Sequence, residues 1–224
     1  MSALFENFEE KFNYSISKYG FAVLMKDILN TNDLSTLHLS LEKEYKLFND
    51  PQKDSNTVFH SVVYQKLRDG WPEFLSAYVK FINNEIKPTI KTKKGLIYQK
   101  WPTFRFHLPN NVAVGGWHTD QEYNHPSGEI NYIVPLTPMY ESNAVIAESS
   151  PGKRDFHQLD AKYGQCIRFN GNECLHGNIP NKTGKTRVSF DFRIMRLEEY
   201  DPDSNKLSLK MNKKYQIGGY YERL

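Results

Sequence analysis

The sequence predicts an α+β fold in which N-terminal helices cover one face of an antiparallel sheet. Three observations carry that expectation. Before Gly95, apolar residues recur at helical spacing, most clearly Phe74, Leu75, Tyr78, Val79 and Ile82 behind Pro72, a residue suited to a first helical turn. After Gly95 the composition turns to short apolar and aromatic runs bounded by turn residues. Within the last of these, Arg187, Ser189, Asp191 and Arg193 alternate with Val188, Phe190 and Phe192. Successive side chains of a strand point to opposite faces, so one face here is polar and cationic and the other demands cover.

Taken in order, Leu4, Phe5, Phe8, Phe12 and Ile16 predict an opening helix over 3–18, ended by Gly20. Phe21 to Met25 reads as a short buried strand, and Asn32-Asp33 as the cap of a helix reaching about Phe48. Residues 50–56 form a polar loop, and a helix over 71–86 is stopped by Lys87-Pro88. Leu96 to Lys100 and Thr103 to His107 read as strands. Asn181-Lys182-Thr183-Gly184 reads as a hairpin turn that would set Asn178 opposite Arg187 and His176 opposite Ser189. The 224 residues suit one domain: a mainly helical cover over 1–94, a core over 95–195, and a C-terminal extension or lid over 196–224.

Net charge is +3, from 29 basic and 26 acidic residues, a near-balance that offers a phosphate backbone no large attraction. Nucleic acid is therefore not the expected partner. No stretch of about 18 apolar residues is present, so a spanning helix and a membrane partner are not expected either. Only Cys166 and Cys174 occur and no secretory leader is legible, which points to a reducing cytoplasm. Cys174 reads as an ordinary buried thiol.

The chemistry starts at His118-Thr119-Asp120. Two residues apart on a strand, His118 and Asp120 would project from one face and grip one ion together. His176 is the best third ligand, because a second strand-like run follows it after a short turn. Two imidazoles and a carboxylate with open positions form the facial triad of non-haem Fe(II) oxygenases. Arg187, on the same polar face, has the planar fork that holds a carboxylate bidentately. His38, His60 and His157 have no second ligand at metal spacing and read as surface or structural residues.

The order of an HxD pair, a distal His, and an Arg eleven residues later resembles the Fe(II)/2-oxoglutarate dioxygenases, particularly the phytanoyl-CoA hydroxylase-like branch. Within that branch, Trp117-His118-Thr119-Asp120, Tyr123-Asn124-His125-Pro126 and Asn170-Gly171-Asn172 are most similar to a small group that includes a streptomycin-pathway hydroxylase. The resemblance covers roughly residues 95 to 195. It departs at Ala144, where the branch has Gly, and after Pro151-Gly152, where its His is absent.

The resemblance implies a double-stranded β-helix, a jelly-roll or cupin-like barrel, with the N-terminal helices packed on one sheet and Glu129 to Thr137 as a barrel strand. It also implies Fe(II), 2-oxoglutarate and O2 as cofactor and cosubstrates, with succinate and CO2 released during hydroxylation. His118, Asp120 and His176 would hold the iron and Arg187 the distal carboxylate, with Asn178 and Asn131 hydrogen-bonded to cosubstrate or else serving the barrel. Arg105, on the Thr103 to His107 strand, and His125, in its loop, are candidates for substrate contact. Arg105 paired with a neighbouring carboxylate is the alternative. Asp191 and Arg193 extend the polar face, which suits a hydrophilic small molecule of sugar, aminocyclitol or amino acid type. The competing readings are a cupin-type isomerase or lyase and a non-catalytic metal-binding barrel. Residues 54–70, 121–128 and 197–224 would shape specificity, and oligomeric state has no readable signal.

Overall fold

The computed structural model describes residues 8–41, 57–113, 116–209 and 214–224. The main sheet is antiparallel and seven-stranded. Its members are β1 (Glu10–Asn13), β2 (Leu96–Gln99), β3 (Thr103–His107), β4 (Ile130–Pro135), β7 (Gln165–Phe169), β9 (Arg187–Arg196) and β10 (Tyr221–Arg223), ordered β1-β7-β4-β9-β2-β10 with β3 also on β9. A smaller sheet joins β5 (Ile146–Ala147), β6 (His157–Gln158) and β8 (His176–Gly177) in the order β6-β5-β8.

The long strand β9 organises the core as its alternation predicts. Val188, Phe190, Phe192 and Ile194 are fully buried under helices Phe21–Leu29 and Pro72–Phe81. Phe190 meets Phe21 and Phe74 edge-on at 5.1 and 5.6 Å, and Phe192 meets Tyr78 at 5.3 Å. Pairs at such separations add to the area they bury. The expected helix over 71–86 is α-helical over Pro72–Phe81 and widens to a π-type turn over Ile82–Ile86. Strands β2, β3 and β4 stand close to where the sequence puts them.

Four expectations need correction. Phe8 to Ile16 is not one helix, since Glu10–Asn13 pairs with β7 and a helix begins only at Ile16; the free edge of β7 outbids a four-residue apolar spacing. Positions 3–7 of that segment lie outside the described residues. Phe21 to Met25 is helix and not strand, because Gly20 in the left-handed region (φ 60°) starts a new helix there. The segment after Asp33 is a 3-10 helix over Leu34–Ser40, with the Asp33 carboxylate accepting from the Ser35 amide; its expected continuation past 41 and the loop over 50–56 lie outside the described residues. Residues 57–69 are not an open specificity loop. They form helix Val58–Asp69, capped by Thr57, which buries Phe59, Val63 and Leu67.

Two core histidines tie stability to pH. Burial, with a contribution from Arg105, pushes His60 down to about 4, and burial with Arg187 pushes His107 down to about 3. In the unfolded chain both protonate near their ordinary value, so between there and pH 4 the unfolded state holds more protons. Stability is full above about pH 6.5 and falls as pH drops, by roughly 2–3 kcal/mol per histidine at pH 4.5. Urea unfolding at pH 7 and 4.5 should show this loss, and His60→Gln should remove about half of it; a flat profile would refute the assignment.

Candidate metal and cosubstrate site

The polar face of β9 looks across at the small sheet, and one cavity lies between them. Its lining includes His118, Asp120, His176, Asn178 and Arg187, together with Arg105, Asn131, Asp191 and Arg193. Ile133, Val145 and Phe169 supply an apolar wall.

His118 and His176 form an antiparallel bridge, each amide donating to the other's carbonyl at 3.0 Å. His176 Nδ1 lies 3.0 Å from the Cys174 carbonyl and His118 Nδ1 3.2 Å from that of Gly116. A carbonyl only accepts, so each ring carries its proton on Nδ1 and leaves Nε2 bare for a metal. Asp120 does not continue a strand. It opens a 3-10 turn over Asp120–Tyr123, where Glu122 accepts from the Thr119 amide at 2.7 Å, and this turn swings the carboxylate back towards the imidazoles. Asp120 Oδ1 lies 3.7 Å from His118 Nε2 and 3.8 Å from His176 Nε2, and one donor atom from each residue lies within 4.8 Å of the others. First-row metal bonds of about 2.0–2.2 Å place neighbouring donors about 3 Å apart, so small inward shifts would close the set on one ion.

Asp120 is buried, and burial opposes its ionisation. Arg193, His176, His125 and the Asn131 hydrogen bond outweigh that and hold the carboxyl far below the usual range. It is a carboxylate at any working pH.

The hairpin register expected for the third ligand is wrong. β8 pairs with β5, Ala147 opposite His176, while β9 pairs with β3 and β4, placing His107 opposite Arg187 and Arg105 opposite Ser189. Residues 178–186 therefore cross from one sheet to the other. Asn178 and Arg187 still share the cavity, from its opposite walls. Asn178 Nδ2 donates to the Ala144 carbonyl at 3.0 Å.

Arg187 is 1% exposed and forms no ion pair among the described residues, with Asp191 acting on it only from a distance. Its Nε donates to the Asn143 carbonyl at 3.0 Å and Nη1 to Ser189 Oγ at 2.8 Å, while Nη2 has no hydrogen-bond partner among the described residues. Burial, with Arg105 nearby, pushes its pKa down to about 9. A buried guanidinium with an unsatisfied prong is costly and asks for an anion.

The other cations of the cavity are already matched. Arg105 grips Asp191 at 2.7 and 3.3 Å, and Arg193 grips Asp120 at 2.8 and 3.1 Å and reaches Asp191 at 3.2 Å. Asn131 Nδ2 donates to Asp120 Oδ2 at 2.6 Å. His125 is not among the cavity residues: its Nδ1 lies 2.6 Å from Glu129 and its ring packs on Tyr215 at 4.9 Å. Cys174 is a buried thiol pushed up to about 12, as expected of an inert side chain.

Sequence reasoning missed Glu129, which is fully buried and hydrogen-bonded by the Tyr221 hydroxyl. It also missed Gly171. A Cβ there would come within 2.7 Å of Asn131 Nδ2, so the Asn170-Gly171-Asn172 turn packs directly on the residue that holds Asp120. No residue pattern marks the first; the second was visible only as wording shared with relatives.

No protein-family model matches the chain. Among solved structures it is similar to the non-heme alpha-ketoglutarate-dependent epimerase SnoN from nogalamycin biosynthesis, at 10% identity and a TM-score of 0.48 over 97% of this chain and 93% of that one. It is similar also to EctD from S. alaskensis, solved with 2-oxoglutarate and 5-hydroxyectoine, at 11% identity and a TM-score of 0.48 over 86% and 73% of the two chains. In sequence it is 29% identical over 212 residues to the streptomycin biosynthesis protein StrG of Streptomyces griseus, which spans 95% of this chain and 96% of that protein. Along nearly its whole length, then, the chain resembles a protein of streptomycin biosynthesis, in keeping with the likeness that Trp117 to Asp120, Tyr123 to Pro126 and Asn170 to Asn172 carry to a streptomycin-pathway hydroxylase group.

Proposed function

We propose that the chain is an Fe(II)- and 2-oxoglutarate-dependent oxygenase that hydroxylates a small polar metabolite of sugar, aminocyclitol or amino acid type. Its two sheets would be the walls of a double-stranded β-helix. The observation that carries this reading is the buried Nη2 of Arg187, without a hydrogen-bond partner among the described residues, in the same cavity as a two-histidine, one-carboxylate cluster. An isomerase or a purely structural metal site has no use for that guanidinium; a dicarboxylate cosubstrate supplies the missing anion.

The residues present fit both groups. His118, Asp120 and His176 would hold the iron on one side, leaving the opposite positions for ligands. Iron and 2-oxoglutarate supply the oxidation, with succinate and CO2 as co-products. Arg187 would bind the distal carboxylate and Ser189, accepting from Nη1, keeps the fork aimed. Asn178 and the apolar wall of Ile133, Val145 and Phe169 would fix the cosubstrate's body. Arg105 and Asp191, still partly exposed, present donors and acceptors suited to a hydroxylated ligand. Binding a hydrocarbon chain against that pair would desolvate it at a cost of several kcal/mol.

Anaerobic addition of Fe(II) and 2-oxoglutarate should give a visible metal-to-ligand charge-transfer band. Sugars, aminocyclitols and amino acids should then be screened for stimulated succinate release. Absence of the band refutes the dioxygenase reading, and stimulation by long-chain acyl compounds alone refutes the substrate class.

A further inference from the structure

We propose that Arg193 is a positioning residue that dictates which oxygen of Asp120 faces the metal, and that Glu129 and Tyr221 hold it in that role. The inference rests on the metal reading above and adds a division of labour within one carboxylate.

Asp120 Oδ2 receives three donors: Arg193 Nη2 at 2.8 Å, Arg193 Nε at 3.1 Å and Asn131 Nδ2 at 2.6 Å. Its acceptor capacity is spent. Oδ1, by contrast, is the oxygen facing the two imidazole Nε2 atoms. Turning the carboxylate to offer both oxygens to an ion would break a buried, charge-assisted grip. A one-oxygen ligand leaves three positions on a six-coordinate ion, and a two-oxygen ligand leaves two. Arg193 thereby preserves the vacancy that a bidentate cosubstrate and a further ligand both need.

Four of the five N–H donors of the guanidinium are already engaged. Nε and Nη2 serve Asp120, and Nη1 serves Gln99 at 3.3 Å and Asp191 at 3.2 Å. Asn131 lies directly opposite Arg193 in the β4–β9 register, which is why both reach the same oxygen. Behind Arg193, Glu129 Oε2 lies 3.8 Å from Nε. Glu129 is in turn held by His125 and by the Tyr221 hydroxyl from the edge strand β10. A fully buried carboxylate needs such company, and Glu129, just ahead of β4, thereby links the C-terminal strand to Arg193.

The test titrates Co(II) into the metal-free full-length chain without 2-oxoglutarate or oxygen, reading affinity by calorimetry and coordination by the visible d–d bands. Arg193→Met should bind Co(II) on the order of 10–100-fold more weakly, with altered band position and intensity. Arg193→Lys should recover part of the affinity, and Glu129→Gln should shift the bands in the same sense as Arg193→Met. A merely structural arginine would change thermal unfolding but not the spectrum of the protein that remains folded. Unchanged or tighter binding with unchanged bands overturns the proposal; if Arg193→Met does not fold, the same result in Arg193→Lys and Glu129→Gln does so. Wild-type protein that takes up no Co(II) overturns the metal reading itself, whereas normal wild-type uptake with indifferent variants overturns only the positioning role.

Discussion

Asp120→Ala and His176→Ala should each abolish metal binding and turnover, yet only the first should cost much stability. Removing the Asp120 carboxylate leaves the Arg193 guanidinium buried without its main partner and strips the Asn131 amide of its acceptor. Breaking a buried pair from one side costs about 3–5 kcal/mol. Glu129 at 3.8 Å and Asp191 at 3.2 Å soften the loss, which places the effect near the lower end. His176 loses a contact with Phe169 at 5.4 Å and with the His118 ring at 4.5 Å, and its backbone bridge survives the substitution. About 1–2 kcal/mol follows. Both variants should still unfold cooperatively, because the aromatic cluster of Phe21, Phe74, Phe81 and Phe190 lies on the other face of the sheet. Equilibrium urea unfolding beside calorimetric metal titration checks both halves. Equal destabilisation by the two would show that Arg193 does not depend on Asp120. The double variant Asp120→Ala/Arg193→Met should regain part of the loss, since it removes the stranded cation.

The clustering of His118, Asp120 and His176, with Arg187 in the same cavity, was legible because each signal was local and chemical. An HxD pair keeps its two side chains close whether the chain runs as a strand or, as here, bridges at His118 and turns at Asp120. The alternation of β9 assigned its faces correctly because a period of two admits one answer once Phe190 and Phe192 must be covered. Pairing partners were not legible. The turn at 181–184 looked like a hairpin, but the chain there passes between sheets, and nothing local separates those outcomes. The helix over 58–69 was a different kind of miss: Thr57 followed by Phe59, Val63 and Leu67 is a cap and a four-residue spacing, present in the sequence and passed over. Arg105, Asp191 and Arg193 were seen as a polar lining, with Arg105 on a neighbouring carboxylate and Asp191 on Arg193 as the alternative; that alternative is what the structure shows, and only the β3–β9 pairing reveals that Asp191 serves both arginines. Glu129 shows the limit most plainly, since a carboxylate's burial depends on a strand more than ninety residues away in the chain.

Arg187→Lys should raise the 2-oxoglutarate requirement by about two orders of magnitude while leaving metal binding intact. The native guanidinium divides its nitrogens: Nε and Nη1 anchor it to the Asn143 carbonyl and Ser189, and Nη2 is left without a hydrogen-bond partner among the described residues. A lysine ammonium is a point charge on a flexible stem, so it cannot hold those anchors and aim a free donor at once. Charge-assisted hydrogen bonds are worth about 1.5–3 kcal/mol each, and losing one with its geometry corresponds to a roughly 10–100-fold weaker complex. Ser189→Ala should act in the same direction with a smaller effect, because it frees the fork without removing charge. Neither side chain belongs to the metal cluster, so Co(II) affinity should not move in either variant. Anaerobic titration of the charge-transfer band against 2-oxoglutarate gives the constant directly. An Arg187→Lys protein with native 2-oxoglutarate affinity would remove Arg187 from the cosubstrate site. Among the described residues no other arginine of the cavity is ready to take its place, because Arg105 and Arg193 are both held by carboxylates.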